Sequence, residues 1–240
     1  MIYLDSGATT LEKPPAVARA MAQAVGEMSS PGRGNYPASQ KAARTAYDCR
    51  EAAAELFHVP APEQVIFTCN ATHGLNIAIR TLVRPGCRVA VSGYEHNAVT
   101  RVLHSIPGVE IMVADAPLFR PEQTLEGFRT ALRRGVDAVI CNHVSNVFGC
   151  VQPVEELAGL CRRTHTPLIV DASQSAGILP VLLADWGAAF VAMPGHKGLY
   201  GPQGTGLLLC GAEASPLLYG GTGSASRRQT MPIDLPDRLE

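Results

Sequence analysis

The chain has no apolar run long enough to cross a membrane and no excess of positive charge. Its longest apolar stretches, 136–141 and 188–193, fall far short of the roughly 20 residues that span a bilayer. Lys and Arg together number 20 against 21 Asp and Glu, whereas nucleic acids and anionic membranes recruit basic surfaces. We therefore expect neither nucleic acid nor a membrane as a partner.

Further absences narrow the class of protein. The segment 1–6 has no basic stretch followed by an apolar core, so we expect no secretory signal and a cytoplasmic location. The seven cysteines show neither C-x-x-C spacing nor regularly spaced histidines, which predicts buried free thiols and no metal site. The glycines at 198, 201, 204 and 206 match neither common nucleotide-binding loop, which argues against a nucleotide-binding protein with a wound sheet.

What the sequence does contain is the pattern of an α/β protein. Only 17% of the 240 residues are charged, against roughly a quarter in average proteins, which favours a deeply buried sheet or a subunit interface. Short β-branched runs alternate with stretches of helical period, as in a mostly parallel sheet with crossover helices. The predicted strands are 65–69, 88–92, 110–114, 137–142, 168–171, 190–193 and 206–210, and the predicted helices are 14–28, 39–57, 72–83, 97–104, 122–134 and 154–163.

The last two predicted strands differ from the others in their connection. Only the loop around Lys197 separates them, which leaves no room for a crossover helix, so they should be antiparallel to each other. We expect one mixed, seven-stranded sheet, preceded by an arm and helix over 1–30 and followed by an irregular tail over 220–240.

Five polar residues lie at or just after predicted strand ends, where ligands bind in wound sheets: Thr72, His96, Asn146, Asp171 and Lys197. A lysine in a glycine-rich turn and a carboxylate at a strand end suit pyridoxal phosphate. The amine can hold the cofactor aldehyde as a Schiff base, and the carboxylate can keep the pyridine nitrogen protonated. The alternatives are a solvated lysine and an aspartate that caps a helix or closes a turn.

The neighbours of these residues fit the same cofactor. Gln174 could donate to the phenolate oxygen of the ring or simply decorate a loop, and His196 could reach a phosphate. Gly195 and Gly198 would permit unusual backbone angles and a close approach to a ligand. Thr72 could offer its hydroxyl to an anion at a helix N-terminus or act as a plain N-cap.

Taken together, six segments in order resemble the class V aminotransferase family of fold type I pyridoxal phosphate enzymes, and within it the cysteine desulfurases and selenocysteine lyases. They are 3–10 (YLDSGATT), 70–76 (NATHGLN), 95–98 (EHNA), 143–149 (HVSNVFG), 170–174 (VDASQ) and 195–197 (GHK). The resemblance implies a three-layer sandwich in which 31–219 form the large pyridoxal phosphate-binding domain.

The resemblance also implies a role for each site residue. Lys197 would form the Schiff base, Asp171 would pair with the pyridine nitrogen, and His96 would stack on the ring. The remaining contacts would come from Asn146 and Gln174 at the ring, from Ala71, Thr72 and His196 at the phosphate, and from Thr222 at the phosphate of a neighbouring subunit in a homodimer.

The implied reaction removes sulfur from L-cysteine and leaves L-alanine and an enzyme persulfide. A sulfur-acceptor protein would then take the sulfur from the persulfide. The alternatives are a selenocysteine lyase, another class V aminotransferase or epimerase, and a catalytically incomplete fragment that binds the cofactor.

Two departures from the family pattern bear on that reaction. Pro194 stands where many relatives have a serine or threonine, which removes one phosphate contact. The sequence ends at Glu240, about where the family's small C-terminal domain would begin, so we expect the substrate-binding arginine and the persulfide cysteine to lie outside it. None of the seven cysteines matches the family's nucleophile position.

Overall fold

The computed structural model of the chain describes residues 2–32, 34–222 and 228–240. Part of the predicted tail, 223–227, and the first residue of the predicted arm therefore lie outside the described residues. The strands are β1 (Val65–Thr68), β2 (Arg88–Ser92), β3 (Glu110–Ala114), β4 (Ala138–Asn142), β5 (Leu168–Asp171), β6 (Phe190–Pro194) and β7 (Gly206–Cys210). The α-helices are α1 (Pro15–Glu27), α2 (Pro37–Leu56), α3 (Ala71–Leu82), α4 (Asn97–His104), α5 (Pro121–Arg133), α6 (Val154–Thr164) and α7 (Leu183–Trp186).

All seven strands form one sheet in the order β1-β7-β6-β5-β4-β2-β3. The pairs from β6 through β5, β4 and β2 to β3 are parallel. The predicted antiparallel pairing of the last two strands is confirmed, because β7 runs against β6 and also against β1. All strands except β7 therefore run in one direction and end at the same edge of the sheet.

Helices cover both faces of the sheet. Successive side chains of a strand point to opposite faces, and each set here meets its own helices. Val139 and Val170 pack with α2, α5 and α6 on one face, whereas Ile140 and Ile169 pack with α3 and α4 on the other. These four side chains are fully buried, so the predicted three-layer α/β sandwich is confirmed.

Most predicted elements agree with the structure to within two residues. Two short elements were missed, a 3-10 helix at Pro62–Gln64 and the four-residue α7, because neither is long enough to show a helical period. The prediction of buried thiols holds for four cysteines but is wrong for Cys49 and Cys69, which are exposed. Among the described residues after β7 there is neither a helix nor a strand, and no described helix is both long and apolar enough to cross a bilayer.

The buried Arg50 of α2 joins three parts of the chain. Its guanidinium donates to the Val65 carbonyl, pairs with the Glu240 carboxylate at 2.6 Å and lies 4.2 Å from the centre of the Phe67 ring. The other oxygen of Glu240 accepts the Phe67 N–H at 2.6 Å, so the exposed edge of β1 gains a partner. The Arg50 guanidinium therefore links helix α2 to strand β1 and to the last described segment.

We expect Arg50→Ala to lower the free energy of unfolding by about 3 kcal/mol, because the change leaves a partly buried carboxylate and a strand carbonyl without their donor. The control is Arg44→Ala, which removes an exposed ion pair with Asp48 on the same helix and should cost less than about 0.5 kcal/mol. Urea unfolding of both variants measures the difference. Equal losses would show that the Arg50 contacts contribute no more than a surface ion pair.

Candidate active site

A cavity of about 230 Å³ lies at the carboxyl edge of the sheet. It is bounded by the ends of β4, β5 and β6 and by the segments that follow β1 and β2. All predicted site residues except Thr222 line it: Ala71, Thr72, His96, Asn146, Asp171, Gln174, His196 and Lys197. Thr222 lies instead on a second cavity of about 610 Å³, beside Cys69 and the last described segment.

Asp171 occupies the centre of this edge. It is the last residue of β5, is 4% exposed, and is paired in register with Asn142 of β4 and Ala192 of β6. Its carboxylate accepts the Ser173 N–H at 2.9 Å, and its carbonyl accepts the His143 N–H at 2.9 Å. The neighbouring strands therefore fix the backbone of Asp171, and the turn after β5 orients its carboxylate.

Lys197 reaches the same cavity from the loop between β6 and β7. Burial lowers the pKa of its ammonium from the usual value, while the nearby Asp171 carboxylate opposes that shift. A partly desolvated amine with a lowered pKa is a better nucleophile at neutral pH than a surface lysine. The two residues that the sequence pairs thus lie close enough to interact electrostatically.

The unusual backbone angles expected of the glycines around Lys197 are not found. Gly195 and Gly198 do not have positive φ angles, and other parts of the protein pack closely against both. A Cβ on Gly198 would overlap the Ala176 carbonyl, and a Cβ on Gly195 would overlap the Thr205 hydroxyl. These glycines let the lysine loop pack tightly against the turn after β5 and against β7, which fixes the position of Lys197.

The N-terminus of α3 forms one wall of the cavity. Asn70, and not Thr72, is the N-cap, since its side chain accepts the His73 N–H at 2.9 Å. The alternative reading of Thr72 as a plain N-cap is therefore wrong. Ala71 and Thr72 occupy the first turn, where free backbone N–H groups and the helix dipole favour an anion.

His96 is fixed by the helix that it precedes. It is the N-cap residue of α4, and its Nδ1 accepts the Ala98 N–H at 3.1 Å. Because Nδ1 is an acceptor, the neutral ring carries its hydrogen on Nε2. The ring is therefore held at the cavity wall with its exchangeable hydrogen on the other nitrogen.

Gln174 and Asn146 were also predicted as site residues. The Gln174 side chain donates to the Gly7 carbonyl at 3.0 Å, which ties the turn after β5 to the N-terminal segment. Asn146 lies in a tight loop closed by the isolated bridge between Val144 and Val151. Both side chains line the cavity.

Sequence reasoning missed a buried polar network beneath the cavity. Asn142 lines the cavity and is 3% exposed. Its side chain donates to the Tyr94 carbonyl and accepts from the Ser92 hydroxyl. Its backbone N–H donates to the Glu95 carboxyl group at 2.8 Å. Burial raises the pKa of Glu95 to about 8, a shift that its hydrogen bonds oppose and that Asp171 increases. The other oxygen of Glu95, Oε2, is buried without a hydrogen-bond partner among the described residues. The signals available were that Asn142 and Ser92 each end a predicted strand and that Glu95 lies in the segment 95–98.

His196 is fixed by the N-terminal segment. Its carbonyl accepts from the Thr10 N–H at 3.0 Å, and its ring nitrogen Nδ1 lies 3.0 Å from the Thr9 hydroxyl. Burial lowers the pKa of His196, and the charges of Lys197 and Lys13 lower it further. The segment before α1 is thus part of the site, which its sequence position alone does not indicate.

Comparison with known proteins matches the model of the family described as Aminotransferase class-V over residues 2–238. A probable cysteine desulfurase of Methanothermobacter thermautotrophicus is 33% identical over 231 residues, which is 92% of this chain and 56% of that protein. The cysteine desulfurase IscS of Serratia proteamaculans is 32% identical and is matched over 52% of its length. The chain thus spans little more than half of these curated relatives.

Solved structures agree with the sequence relatives. The apo cysteine desulfurase of Thermococcus onnurineus NA1 superposes with a TM-score of 0.87 at 27% identity, over all of this chain and 62% of that one. SspA, solved in complex with cysteine, superposes with a TM-score of 0.80 at 26% identity. With the family model matched over almost the whole sequence, this chain belongs to the class V aminotransferase family.

Proposed function

We propose that this chain is the large, pyridoxal phosphate-binding part of an enzyme that resembles cysteine desulfurases. The observation that carries the proposal is the shared cavity of Lys197 and Asp171, in which the carboxylate is close enough to influence the pKa of the lysine. Relatives named cysteine desulfurase motivate the choice of reaction. In this division 1–30 is an arm and helix, 31–219 is the large cofactor-binding domain, and 220–240 is an irregular tail.

The chemistry of the cavity fits pyridoxal phosphate. Its phosphate would lie at the start of α3, against Ala71, Thr72 and His196, where backbone N–H groups and the helix dipole favour an anion. Its protonated ring nitrogen would pair with Asp171, the carboxylate buried at the end of β5. Lys197 supplies the amine that holds its aldehyde.

The side chains around the cavity would have separate roles in the reaction. When bound, the cofactor supplies a ring that withdraws electrons from the substrate α-carbon. Lys197 Nζ, when its amine is free, would carry protons to and from that carbon. His96 exchanges its proton at Nε2, because Nδ1 is engaged with the Ala98 N–H. Asn146 and Gln174 would orient the ring.

Other parts of the reaction need groups from elsewhere. We assign no cysteine of this chain as the sulfur acceptor and no arginine as the partner of the substrate carboxylate. Thr222 lies away from the cavity of its own chain, which is compatible with a role at the phosphate of a second copy. A homodimer, a cysteine or selenocysteine substrate and a sulfur-acceptor protein belong to this proposal.

The first prediction concerns Lys197. Titration of the purified chain with pyridoxal phosphate should produce the absorption band of a lysine-bound cofactor, and borohydride reduction should fix the cofactor on the peptide that contains Lys197. Lys197→Ala should abolish both signals because it removes the amine. Lys41→Ala, which removes an exposed lysine paired with Glu27, should keep them. Persistence of the band in Lys197→Ala would contradict the assignment.

The second prediction concerns the reaction. With L-cysteine and a thiol reductant, any turnover by the loaded chain should release alanine and sulfide in equal amounts, and Asp171→Asn should lower the rate by about 100-fold or more because the ring nitrogen loses its anionic partner. Amino-acid analysis and sulfide determination measure the products. Formation of D-cysteine would instead indicate an epimerase, and a requirement for a keto acid would indicate an aminotransferase. A loaded chain without turnover would favour the fragment that only binds the cofactor.

The third prediction concerns Glu95. Its pKa rises from 4.5 to about 8 on folding, so its contribution to stability is fully present below pH 4.5 and is lost as the pH rises to about 8. Glu95→Gln keeps the acceptor oxygen but does not titrate. Relative to this variant, the wild type should therefore lose stability on the order of a few kcal/mol over that range.

Urea unfolding at several pH values tests this expectation. The control is Glu126→Gln, because Glu126 is exposed on α5 and its pKa is lowered by hydrogen bonds and charges from Arg129 and Arg133. Its wild-type contribution should have the opposite pH dependence: it stabilises the fold when Glu126 is ionised and is lost as the pH falls. A Glu95→Gln curve parallel to the wild type would show that Glu95 is ionised in the folded protein.

A further inference from the structure

The ring of His196 has two nitrogens, and only one faces the contacts of the N-terminal segment. Its Nδ1 lies 3.0 Å from the Thr9 hydroxyl, while the ring also lines the cavity. In a neutral imidazole one nitrogen donates and the other accepts. The hydrogen bonds around Thr9, Thr10 and Lys13 determine which nitrogen donates.

Lys13 determines the direction of the Thr10 hydroxyl. Its ammonium donates to the Thr10 hydroxyl oxygen at 2.7 Å and to the Thr10 carbonyl at 3.1 Å. An ammonium cannot accept, so the Thr10 hydroxyl hydrogen must go to another atom. The available acceptor is the His196 carbonyl, 3.1 Å away.

That carbonyl is then fully used. It accepts the Thr10 N–H at 3.0 Å as well as the Thr10 hydroxyl, and a carbonyl oxygen has two lone pairs. The Thr9 hydroxyl also lies 3.1 Å from the same oxygen, but it would be a third donor there. Its hydrogen is therefore directed to the other acceptor within reach, the Nδ1 of His196.

We propose that Thr9 is a positioning residue that holds His196 in the Nε2–H tautomer, so that the ring donates to the phosphate of the cofactor. A phosphate oxygen is an acceptor, and the opposite tautomer would present a lone pair to it. The inference rests on the proposed function for the identity of the ligand, whereas the tautomer itself follows from the contacts of Thr9, Thr10 and Lys13.

Two further observations support it. Burial and then the charges of Lys197 and Lys13 lower the pKa of His196, which favours the uncharged ring, the form that has two tautomers. Pro194, two residues earlier, has no side-chain donor for the phosphate. Fewer donors from this loop increase the dependence of phosphate binding on the Nε2 hydrogen of His196.

The test is nitrogen-15 NMR of histidine-labelled protein, with and without added pyridoxal phosphate. Long-range proton–nitrogen spectra distinguish the two tautomers, and His196→Gln identifies the signals of this ring among the seven histidines. We expect Nε2–H in the wild type and in Thr9→Ser, and a substantial population of Nδ1–H in Thr9→Val. A wild-type ring in the Nδ1–H form overturns the proposal, whatever the variants do.

Affinity gives a second readout. Thr9→Val should weaken binding of pyridoxal phosphate by about tenfold, the loss of one hydrogen bond to a charged group, and should change binding of pyridoxal, which lacks the phosphate, by less than about twofold. Thr9→Ser should restore most of the loss. Thr164→Val, at the end of α6 and away from the cavity, is the matched control and should leave both affinities unchanged.

The outcomes separate this inference from the proposed function. If Thr9→Val weakens the binding of pyridoxal phosphate and of pyridoxal by the same factor, Thr9 only anchors the N-terminal segment. That result would overturn the proposal. A wild-type chain that binds no pyridoxal phosphate would refute the proposed function, and the NMR of the unliganded protein would still decide the tautomer.

Discussion

The pairing of β5 between β4 and β6 is the constraint on which the site depends. It places Asp171 at the middle of the carboxyl edge, in register with Asn142 and Ala192. Because β7 turns back beside β6, the connection between these strands is a short loop that stays at this edge, and Lys197 lies on it. The tight packing of Gly198 on the Ala176 carbonyl then fixes the loop against the turn after β5. One strand order thus brings together a lysine and an aspartate 26 residues apart.

The two carboxyl groups of this edge have different surroundings. Asp171 faces a cavity that contains an amine, and its carboxylate opposes the fall in the pKa of Lys197. Glu95 lies below the cavity, and burial with the charge of Asp171 nearby raises its pKa to about 8. Two neighbouring carboxyl groups are easier to bury when only one of them is charged. A neutral Glu95 therefore adds no negative charge beneath Asp171.

The parts of the fold that depend on local pattern could be predicted from the sequence. Buried strands such as β5 are short apolar runs, and α4 shows a clear helical period, so their positions were found to within two residues. The start of α3 was placed one residue late, because the choice of Asn70 as N-cap depends on its hydrogen bond to His73 and not on apolar spacing. The role of Glu95 could not be predicted, since its burial depends on Asn142, 47 residues further along the chain.

The contact between Thr9 and His196 shows the same limit at longer range. The two residues are 187 positions apart, and neither has a pattern around it that indicates the other. Yet the direction of one hydroxyl hydrogen decides whether the histidine ring presents a hydrogen or a lone pair to the cavity. A family pattern can assign His196 to a phosphate, but it does not say how the ring is kept in the form that donates. The hydrogen bonds that direct this hydroxyl continue through Thr10 to Lys13, so the N-terminal segment contributes to the candidate site.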